Sequence, residues 1–287
     1  MICPICGAEE IKFFCRKDGY DLHRCLKCGL VFVSPLPENL GRIYGRDYYE
    51  NTGKNKKFGY VDYEKDKEPM KRVFLESLRK MERLAPVKKI FDVGAATGYF
   101  LDLAEREGWR TQGSEISAYA AEMAGRKGHE VVCDEIKNIQ LEERVGLVTM
   151  WDVLEHAREP VDFLRSANRL LVDRGVLLIN TVDRGSLWAR FWGKRWHALI
   201  PPEHLYFYSL KNLTIALSRA GFKIIEVKKI GKKFSLAYVF KILYNWQNLV
   251  LWQKLSAFFD RPPLRKLSLP VNLRDNIYVV AEKTNEI

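Results

Sequence analysis

The stretch that decides the fold is Ile90-Phe91-Asp92-Val93-Gly94-Ala95-Ala96-Thr97-Gly98. It is a short apolar run that ends in a glycine-containing turn, and an amphipathic stretch with Phe100, Leu101 and Leu103 follows directly. Glycine at positions 94 and 98 permits a tight turn and lets a ligand approach the backbone closely. The stretch therefore predicts a strand, a turn and a helix, with a ligand held at the turn.

On the carboxyl side of this turn, short apolar runs alternate with helical stretches. The runs cover residues 111–115, 131–132, 147–150 and 176–180. Strands that alternate with helices in this way form parallel sheets with helices on both faces. We therefore predict an α/β fold with a Rossmann-like, doubly wound sheet as the main domain, over residues 86–287.

Acidic residues end the next two predicted strands. Glu115 comes 17 residues after Gly98, and Asp134 follows the third strand. An acidic side chain at the end of a second strand can accept hydrogen bonds from both hydroxyls of a ribose. The glycine turn and the two acids therefore predict a nucleotide site at one edge of the sheet. Cys133, in an apolar strand-like context, is expected to be an inert buried thiol.

These strand ends resemble those of the class I S-adenosylmethionine-dependent methyltransferases, over about residues 60–283. The resemblance is carried by residues 91–98 and by Gly113-Ser114-Glu115-Ile116, Cys133-Asp134 and Met150-Trp151-Asp152-Val153-Leu154-Glu155-His156. It implies S-adenosylmethionine as the cofactor. The cofactor-binding residues that it implies are Asp92, Gly94, Ala95, Gly98, Glu115, Ile116, Asp134, Trp151 and Asp152.

Within this resemblance each strand end has its own role. The glycine turn would hold the methionine part, Glu115 the ribose, and Ile116 and Asp134 the adenine, while residues 151–152 would close the pocket. Ala96 stands where the family has its central glycine. An NAD-binding domain uses the same turn and is the alternative. The missing glycine weakens that alternative, as does the segment after strand four, which has no dehydrogenase counterpart.

Four of the six cysteines form two closely spaced pairs. Cys3 and Cys6 are separated by two residues, as are Cys25 and Cys28, and 18 residues lie between the pairs. This spacing is typical of a tetrahedral zinc site, in which four thiolates leave no open position and make the metal structural. We predict a zinc ribbon over residues 1–34. A disulfide is the alternative, which a reducing compartment disfavours, and the balanced charge between the pairs argues against a nucleic-acid module.

A tyrosine-rich helical connector is predicted over residues 35–85. Its aromatic residues are Tyr44, Tyr48, Tyr49, Phe58, Tyr60 and Tyr63, and a helical period then places Phe74, Leu78, Met81 and Leu84 on one face. Tyrosines in such a run either pack between two domains or cover a ligand cleft, and both alternatives stay open.

The methyltransferase resemblance also accounts for the C-terminal part of the chain. It implies an antiparallel pair of strands, residues 223–227 and 277–281, that closes the sheet. Residues 232–274 then form an insertion rich in aromatic and basic side chains. Helices packed on the sheet, a dimer contact, a substrate lid and an amphipathic element in contact with a membrane are the alternatives for this insertion.

Residues 201–209 follow the predicted fifth strand, where acceptor groups line the cleft of such folds. They contain Glu203, His204 and, as a candidate helix N-cap, Ser209. With the ribbon and the tyrosines, this Glu-His pair resembles sugar C-methyltransferases, which methylate the carbon next to a keto group on nucleotide-linked deoxysugars. The resemblance implies that His204 is the general base, that Glu203 assists it, and that an enolate attacks the methyl group. An imidazole suits this role because its pKa lies near working pH.

The formal net charge of +11 is distributed unevenly. Residues 184–275 contain 17 Lys or Arg against 4 Asp or Glu, which favours an anionic partner, and Arg190, Lys194 and Arg195 are candidates to hold a diphosphate. We therefore predict methyl transfer, to carbon or oxygen, on a sugar-type anionic acceptor that is nucleotide-linked or a polysaccharide precursor. A zinc-ribbon RNA methyltransferase, and a non-catalytic cofactor-binding protein at a membrane surface, are the alternatives.

The sequence also bears on the compartment. No uncharged apolar run approaches the roughly 20 residues that a membrane-spanning helix needs, and the N-terminus lacks the pattern of a secretory signal. We expect a cytoplasmic protein, with peripheral contact at the inner membrane face as a further alternative.

Overall fold

The N-terminal part is a small antiparallel ribbon. The computed structural model describes residues 1–38, 44–50, 63–230, 232–247, 249–271 and 273–284. Strands β1 (Ile11–Lys17), β2 (Tyr20–Cys25) and β3 (Val31–Val33) pair in that order. The tight turn between β1 and β2 is made by Asp18 and Gly19, both with positive φ (51° and 87°), which suits the twist of a two-residue hairpin.

The connector is helical where it is described. It contains α1 (Arg46–Tyr49), α2 (Tyr63–Lys67), a 3-10 turn over Glu68–Met70 and α3 (Lys71–Leu84). The apolar face predicted for α3 is buried at Phe74, Leu78 and Met81. Leu84 departs from that prediction because it is the last residue of the helix and is 40% exposed. Phe58 and Tyr60 lie outside the described residues.

The main domain alternates strands and helices as predicted. Its elements, in chain order, are β4 (Lys89–Val93), α4 (Tyr99–Arg106), β5 (Arg110–Ser114), α5 (Ala118–Arg126), β6 (Val131–Val132), β7 (Val145–Trp151), α6 (Pro160–Leu170), β8 (Leu171–Val182), α7 (Leu187–Trp192), β9 (Tyr206–Phe207), α8 (Leu210–Arg219) and β10 (Phe222–Lys229). The insertion follows with β11 (Lys232–Ser235), α9 (Leu236–Gln247), α10 (Val250–Phe259) and β12 (Ser268–Val271), and β13 (Asn276–Lys283) comes last.

Seven strands form the main sheet, in the order β10-β13-β8-β7-β4-β5-β6. The strands from β8 to β6 pair in parallel, and β13 pairs antiparallel with both β8 and β10. The parallel sheet and the antiparallel closing pair of the sequence prediction are therefore confirmed. Because every crossover returns to the same end of the sheet, the carboxyl ends of β4, β5, β7 and β8 share one edge.

Helices cover both faces of this sheet. On one face, α6 and α8 bury Leu164 and Leu217 against a core that includes Met150 of β7. On the other face, α3 and α4 pack against Leu147 and Trp151 of the same strand. Successive residues of β7 serve opposite faces, as the period of two in a strand requires.

The ribbon and the main domain share a sheet. Strand β9 pairs antiparallel with β3, so that Val31 lies opposite Phe207 and the ribbon sheet becomes four-stranded. A buried cluster with Trp196 at its centre packs residues of the ribbon against α7 and β9. Residues 201–205 are thus attached on one side to the ribbon.

The insertion is a helical hairpin on a short β-ribbon. Helices α9 and α10 pack together through Phe240, whose ring stacks on Trp252 and Phe259 at centroid distances of 5.8 and 5.3 Å. No described helix in the structure is long and apolar enough to cross a membrane.

Candidate functional site

The turn after β4 contains three residues with positive φ, a conformation that glycine adopts readily. Gly94, Ala96 and Gly98 all have positive φ (72°, 49° and 84°). A Cβ atom on residue 94 would lie 2.6 Å from the Val153 side chain, and one on residue 98 would lie 2.6 Å from the His129 ring. These two positions therefore require glycine for space as well as for backbone conformation.

Glu115 holds this turn from the end of the neighbouring strand. One carboxylate oxygen accepts a hydrogen bond from the Ala96 N–H (2.9 Å), and the other accepts from the Ser117 N–H (2.9 Å) and from the Tyr49 hydroxyl (3.4 Å). Burial raises the pKa of Glu115, while the backbone hydrogen bonds oppose that shift. Beside it, the Ile116 side chain is 51% exposed and offers an apolar surface to a ligand.

Two further carboxylates lie near the carboxyl ends of β4 and β7. Asp92 is buried in β4 and accepts a hydrogen bond from the Thr149 hydroxyl (2.6 Å); burial raises the pKa of Asp92 to about 7. Asp152 follows β7 with a positive φ of 57°, and its carboxylate accepts from the Asn180 amide (2.7 Å) and pairs with Lys67 (3.3 Å). A backbone strained at the end of a strand is typical of a ligand site.

The remaining two residues predicted to bind the cofactor are placed differently. The Trp151 ring lies between Phe74 and Phe100 in the core, at centroid distances of 4.6 and 5.4 Å, so this ring packs and Asp152 after it reaches the edge. Asp134 is exposed after β6 and accepts hydrogen bonds from Asn138 and the Glu135 N–H, which lower its pKa. The expectation of a buried Cys133 thiol is wrong: β6 ends at Val132, and Cys133 lies exposed beyond it.

The connector covers this edge of the sheet. The Tyr63 hydroxyl is surrounded by the charges of Lys67, Asp92, Glu115 and Asp152, and burial raises the pKa of Tyr63 to about 12. Its ring packs edge-on against Tyr49 at 5.7 Å. The tyrosine run was the signal for this cover in the sequence, but Lys67 carried no signal because its partner lies 85 residues away.

Three carboxylates and one ammonium group, those of Asp92, Glu115, Asp152 and Lys67, therefore come together around Tyr63. Such a set suits a ligand with cationic groups and ribose hydroxyls, because carboxylates stabilise positive charge and accept hydrogen bonds. S-adenosylmethionine carries an ammonium, a sulfonium, a carboxylate and a ribose, and the residues at this edge fit that combination.

A second cluster lies one turn after Asp152. His156 donates from Nδ1 to the carbonyl oxygen of Glu203 (2.5 Å), and its ring meets the His204 ring edge-on at 5.0 Å. The Tyr48 hydroxyl donates to the Glu203 carboxylate (2.7 Å). Burial lowers the pKa of His156 and raises that of Glu203. The predicted Glu203 and His204 are thus brought together with His156 and Tyr48, which sequence reasoning left out of the site.

One ring nitrogen of His204 is fixed by its surroundings. Its Nδ1 lies 2.9 Å from the carbonyl oxygen of Ala198, which can only accept, so Nδ1 donates this hydrogen bond. The buried Glu155 carboxylate, which accepts from the Thr181 hydroxyl (2.8 Å), comes within 4.8 Å of both histidines. At that distance the Glu155 carboxylate can stabilise a positive charge on either histidine ring.

The four cysteines of the ribbon gather at one point. Cys3 and Cys28 sulfurs are 3.6 Å apart, as are those of Cys6 and Cys25, and all four lie within 4.8 Å of one another. Gly7 and Gly29 follow the two pairs with positive φ (72° and 80°), as the predicted knuckles require. Zn–S bonds of about 2.3 Å in a tetrahedron separate sulfurs by about 3.8 Å, so the four thiols fit that geometry.

A methyltransferase-domain family matches residues 64–227, more than half of the chain. The chain belongs to that family. A curated relative, the ubiquinone biosynthesis O-methyltransferase of Bradyrhizobium diazoefficiens, is 23% identical over 170 residues, which are 52% of this chain and 67% of the relative. The chain spans about two thirds or less of the curated relatives that it matches.

Solved structures share this fold. An S-adenosylmethionine-dependent methyltransferase of Thermotoga maritima, described as a possible histamine N-methyltransferase, has a TM-score of 0.50 and 20% identity, over 77% of this chain and 94% of that one. A putative methyltransferase of Bacillus halodurans has a TM-score of 0.51 and 18% identity, over 73% and 100%. At these identities the likeness shows the fold alone.

The methyltransferase is therefore an S-adenosylmethionine-dependent enzyme with a Rossmann-like sheet. This confirms the enzyme class and the cofactor predicted from the strand ends, and sets aside the NAD-binding and non-catalytic alternatives. When bound, S-adenosylmethionine supplies a methyl group activated by its sulfonium. The residues that would hold the cofactor lie at the carboxyl edge of the main sheet: Asp92, the glycine turn, Glu115, Ile116 and Asp152.

Proposed function

We propose that the enzyme methylates a sugar-type anionic acceptor, nucleotide-linked or a polysaccharide precursor, at carbon or oxygen. The observation that carries the proposal is that His204 is buried, with its Nδ1 on the Ala198 carbonyl oxygen, and packs against His156, which follows Asp152 of the cofactor edge by four residues. The charge supports an anionic acceptor, since residues 184–275 contain 17 cationic side chains against 4 acidic ones.

In the proposed reaction, His204 Nε2 takes a proton from the acceptor. For a keto sugar the proton comes from the carbon beside the ketone, and the electron pair left behind forms an enolate; for an alcohol it comes from the hydroxyl. The nucleophile then bonds to the activated methyl carbon as the carbon–sulfur bond breaks, and S-adenosylhomocysteine leaves. Glu155 stabilises the imidazolium. The Glu203 carboxyl group accepts a hydrogen bond from Tyr48, and its raised pKa favours the protonated form, which can also donate a hydrogen bond to the acceptor.

The carbon and oxygen outcomes differ in how the acceptor must be activated. The curated relatives are named for O-methylation in ubiquinone biosynthesis, which favours a hydroxyl acceptor as the second candidate. The feature that favours the keto sugar is the Glu203-His204 pair, which lies in a segment attached to the N-terminal ribbon. Both reactions use the same base, so the acceptor decides between them.

The test measures S-adenosylhomocysteine release with nucleotide-linked keto sugars and their alcohols in deuterated water. His204→Asn keeps a donor for the Ala198 carbonyl and removes the basic nitrogen, and it should lower kcat about 10²–10⁴-fold. The affinity for S-adenosylhomocysteine should stay unchanged. His197→Ala, at a half-exposed histidine nearby, is the matched control and should keep its turnover.

Each outcome assigns the acceptor class. Deuterium at the carbon beside the ketone, dependent on His204, supports the enolate. Turnover of alcohols without exchange supports O-methylation. Full activity of His204→Asn contradicts the assigned base. If none of the sugars reacts while the cofactor binds, the sugar proposal fails and RNA becomes the next acceptor to assay.

We also propose that the ribbon holds a structural zinc ion through Cys3, Cys6, Cys25 and Cys28. The 3.6 Å sulfur separations support it, and so do the two glycine knuckles after the pairs. Elemental analysis of protein purified without chelators should give one zinc per chain. Protein that is folded and active without any bound metal contradicts this proposal.

A further inference from the structure

Helix α7 presents a bare apolar face to solvent. Leu187 is 83% exposed and Phe191 is 80% exposed, and among the described large apolar side chains these two are the most exposed. They are four residues apart, so they lie on the same side of the helix. Arg190, Lys194 and Arg195 are exposed around them.

The opposite face of α7 is firmly packed. Ala189 is fully buried, and Trp188 and Trp192 pack against the cluster around Trp196 that joins the ribbon to the main domain. The Ser186 hydroxyl caps the helix by accepting from the Ala189 N–H (3.1 Å). The helix is therefore held with Leu187 and Phe191 pointing outward, and the exposure of these two side chains is a feature of the folded state.

A second group of exposed apolar side chains lies at the turn between α9 and α10. Leu249, Val250 and Leu251 are 51%, 60% and 59% exposed. Contiguous apolar exposure of this kind marks an interaction surface.

Both groups belong to segments that leave the main sheet at its carboxyl edge. Helix α7 follows β8, whose next residue, Asp183, pairs with Lys229 at the end of β10 and bonds to Asp275 just before β13. The insertion lies between those two strands. Asp152 and Asn180 lie at the same carboxyl edge of the sheet.

The charge of these segments selects the partner. The excess of 13 cationic side chains lies within residues 184–275, which include both apolar groups, and the rest of the chain is slightly acidic. Apolar side chains among cations match the boundary between headgroups and acyl chains of a bilayer with anionic lipids. A second copy of the chain would place like charges against each other, which disfavours a dimer at this face.

We propose that α7 and the α9–α10 turn dock the enzyme on an anionic lipid bilayer, with Leu187 and Phe191 inserted. In this proposal Arg190, Lys194 and Arg195, the candidates above to hold a diphosphate, face lipid headgroups. The docking itself does not depend on which acceptor is methylated.

The test is sedimentation of the full chain with vesicles of phosphatidylcholine, alone or mixed with phosphatidylglycerol. The protein should bind the mixed vesicles, bind phosphatidylcholine much more weakly, and detach as salt is raised. Leu187→Ser/Phe191→Ser should weaken binding about tenfold or more. Leu84→Ser/Val87→Ser, which changes two partly exposed side chains at the opposite edge of the sheet, is the matched control and should bind normally.

Three outcomes overturn the proposal. One is no binding to the mixed vesicles; another is equal binding by the Leu187/Phe191 variant. The third is sedimentation velocity that shows a dimer which this variant dissolves, because the face then joins two copies of the chain. Since vesicle binding is measured without any acceptor, these results are separate from success or failure of the sugar assays.

Discussion

Replacing Glu115 tests the cofactor site most directly. A carboxylate has about four positions at which it can accept hydrogen bonds. The backbone N–H groups of Ala96 and Ser117 use two of them, and the Tyr49 hydroxyl, at 3.4 Å, holds a third weakly. Two ribose hydroxyls can therefore be accepted only if Tyr49 gives way, so we expect this tyrosine to move when the cofactor binds.

The expected loss follows from this count. Hydrogen bonds to a charged group contribute about 1.5–3 kcal/mol each. Losing two of them to the ribose weakens cofactor binding by about 3–6 kcal/mol, which is about 10²–10⁴-fold in Kd. Glu115→Ala also leaves two buried N–H groups without their acceptor, which lowers the free energy of unfolding by about 2–4 kcal/mol. Glu115→Gln keeps one acceptor oxygen and perturbs the fold less.

Calorimetric titration of S-adenosylhomocysteine into Glu115→Gln measures the binding loss, and urea denaturation of both variants measures the stability loss. Glu142→Gln, at an exposed acid, is the matched control and should leave both quantities unchanged. Unchanged affinity in Glu115→Gln would refute the assignment of the ribose to this carboxylate. A stable Glu115→Ala would refute the view that the side chain holds the glycine turn.

Three further changes test other parts of the molecule. Ala96→Gly should raise the free energy of unfolding by about 1 kcal/mol, because glycine adopts the positive φ of 49° without strain, whereas Ala118→Gly on an exposed helix start should lower it; urea denaturation measures both. Burial raises the pKa of Asp92 to about 7, so ionising this carboxyl group in the folded state lowers the free energy of unfolding as the pH rises from about 4 to 7. Relative to the wild type, the free energy of unfolding of Asp92→Asn should therefore rise over that range, by about 4 kcal/mol at most. Denaturation without cofactor measures this difference, and a difference that does not change with pH would contradict the reasoning. Removing the proposed zinc, by a chelator or by Cys25→Ser, should shift the fluorescence emission of the buried Trp196 to longer wavelength and lower the rate of methyl transfer. An unchanged spectrum with full activity would show that the fold around Trp196 does not depend on the metal in the ribbon.

Local sequence signals were sufficient for the main sheet. The glycine turn and the spacing of apolar runs determine where strands and helices begin. The signal for each element lies within a short stretch of the sequence. The cap predicted at Ser209 is also local: its N–H and hydroxyl bond to the Asn212 side chain at 2.9 Å each. The prediction of Glu115 rested on the same short-range pattern together with the geometry of parallel strands, whereas Asp152 was implied by the methyltransferase resemblance.

The parts that were not predicted depend on contacts between distant segments. Lys67 meets Asp152, and Tyr48 meets Glu203 across 155 residues, and no local pattern encodes either pair. The methyltransferase resemblance implied that Trp151 closes the pocket together with Asp152, whereas alternation along β7 packs the Trp151 ring against Phe74 and Phe100. The Cys133 error arose because β6 is only two residues long and ends before that thiol.

The pairing of β9 with β3 determines how the chain can be dissected. A fragment cut to residues 64–227, the stretch that the family shares, would retain the cofactor edge up to β10 but lose β13, which lies between β10 and β8. It would also leave Tyr206 and Phe207 as an unpaired edge shortly after His204, the proposed base. Binding of cofactor by such a fragment would say little about turnover, because the segment around His204 is held by the ribbon, which the fragment lacks.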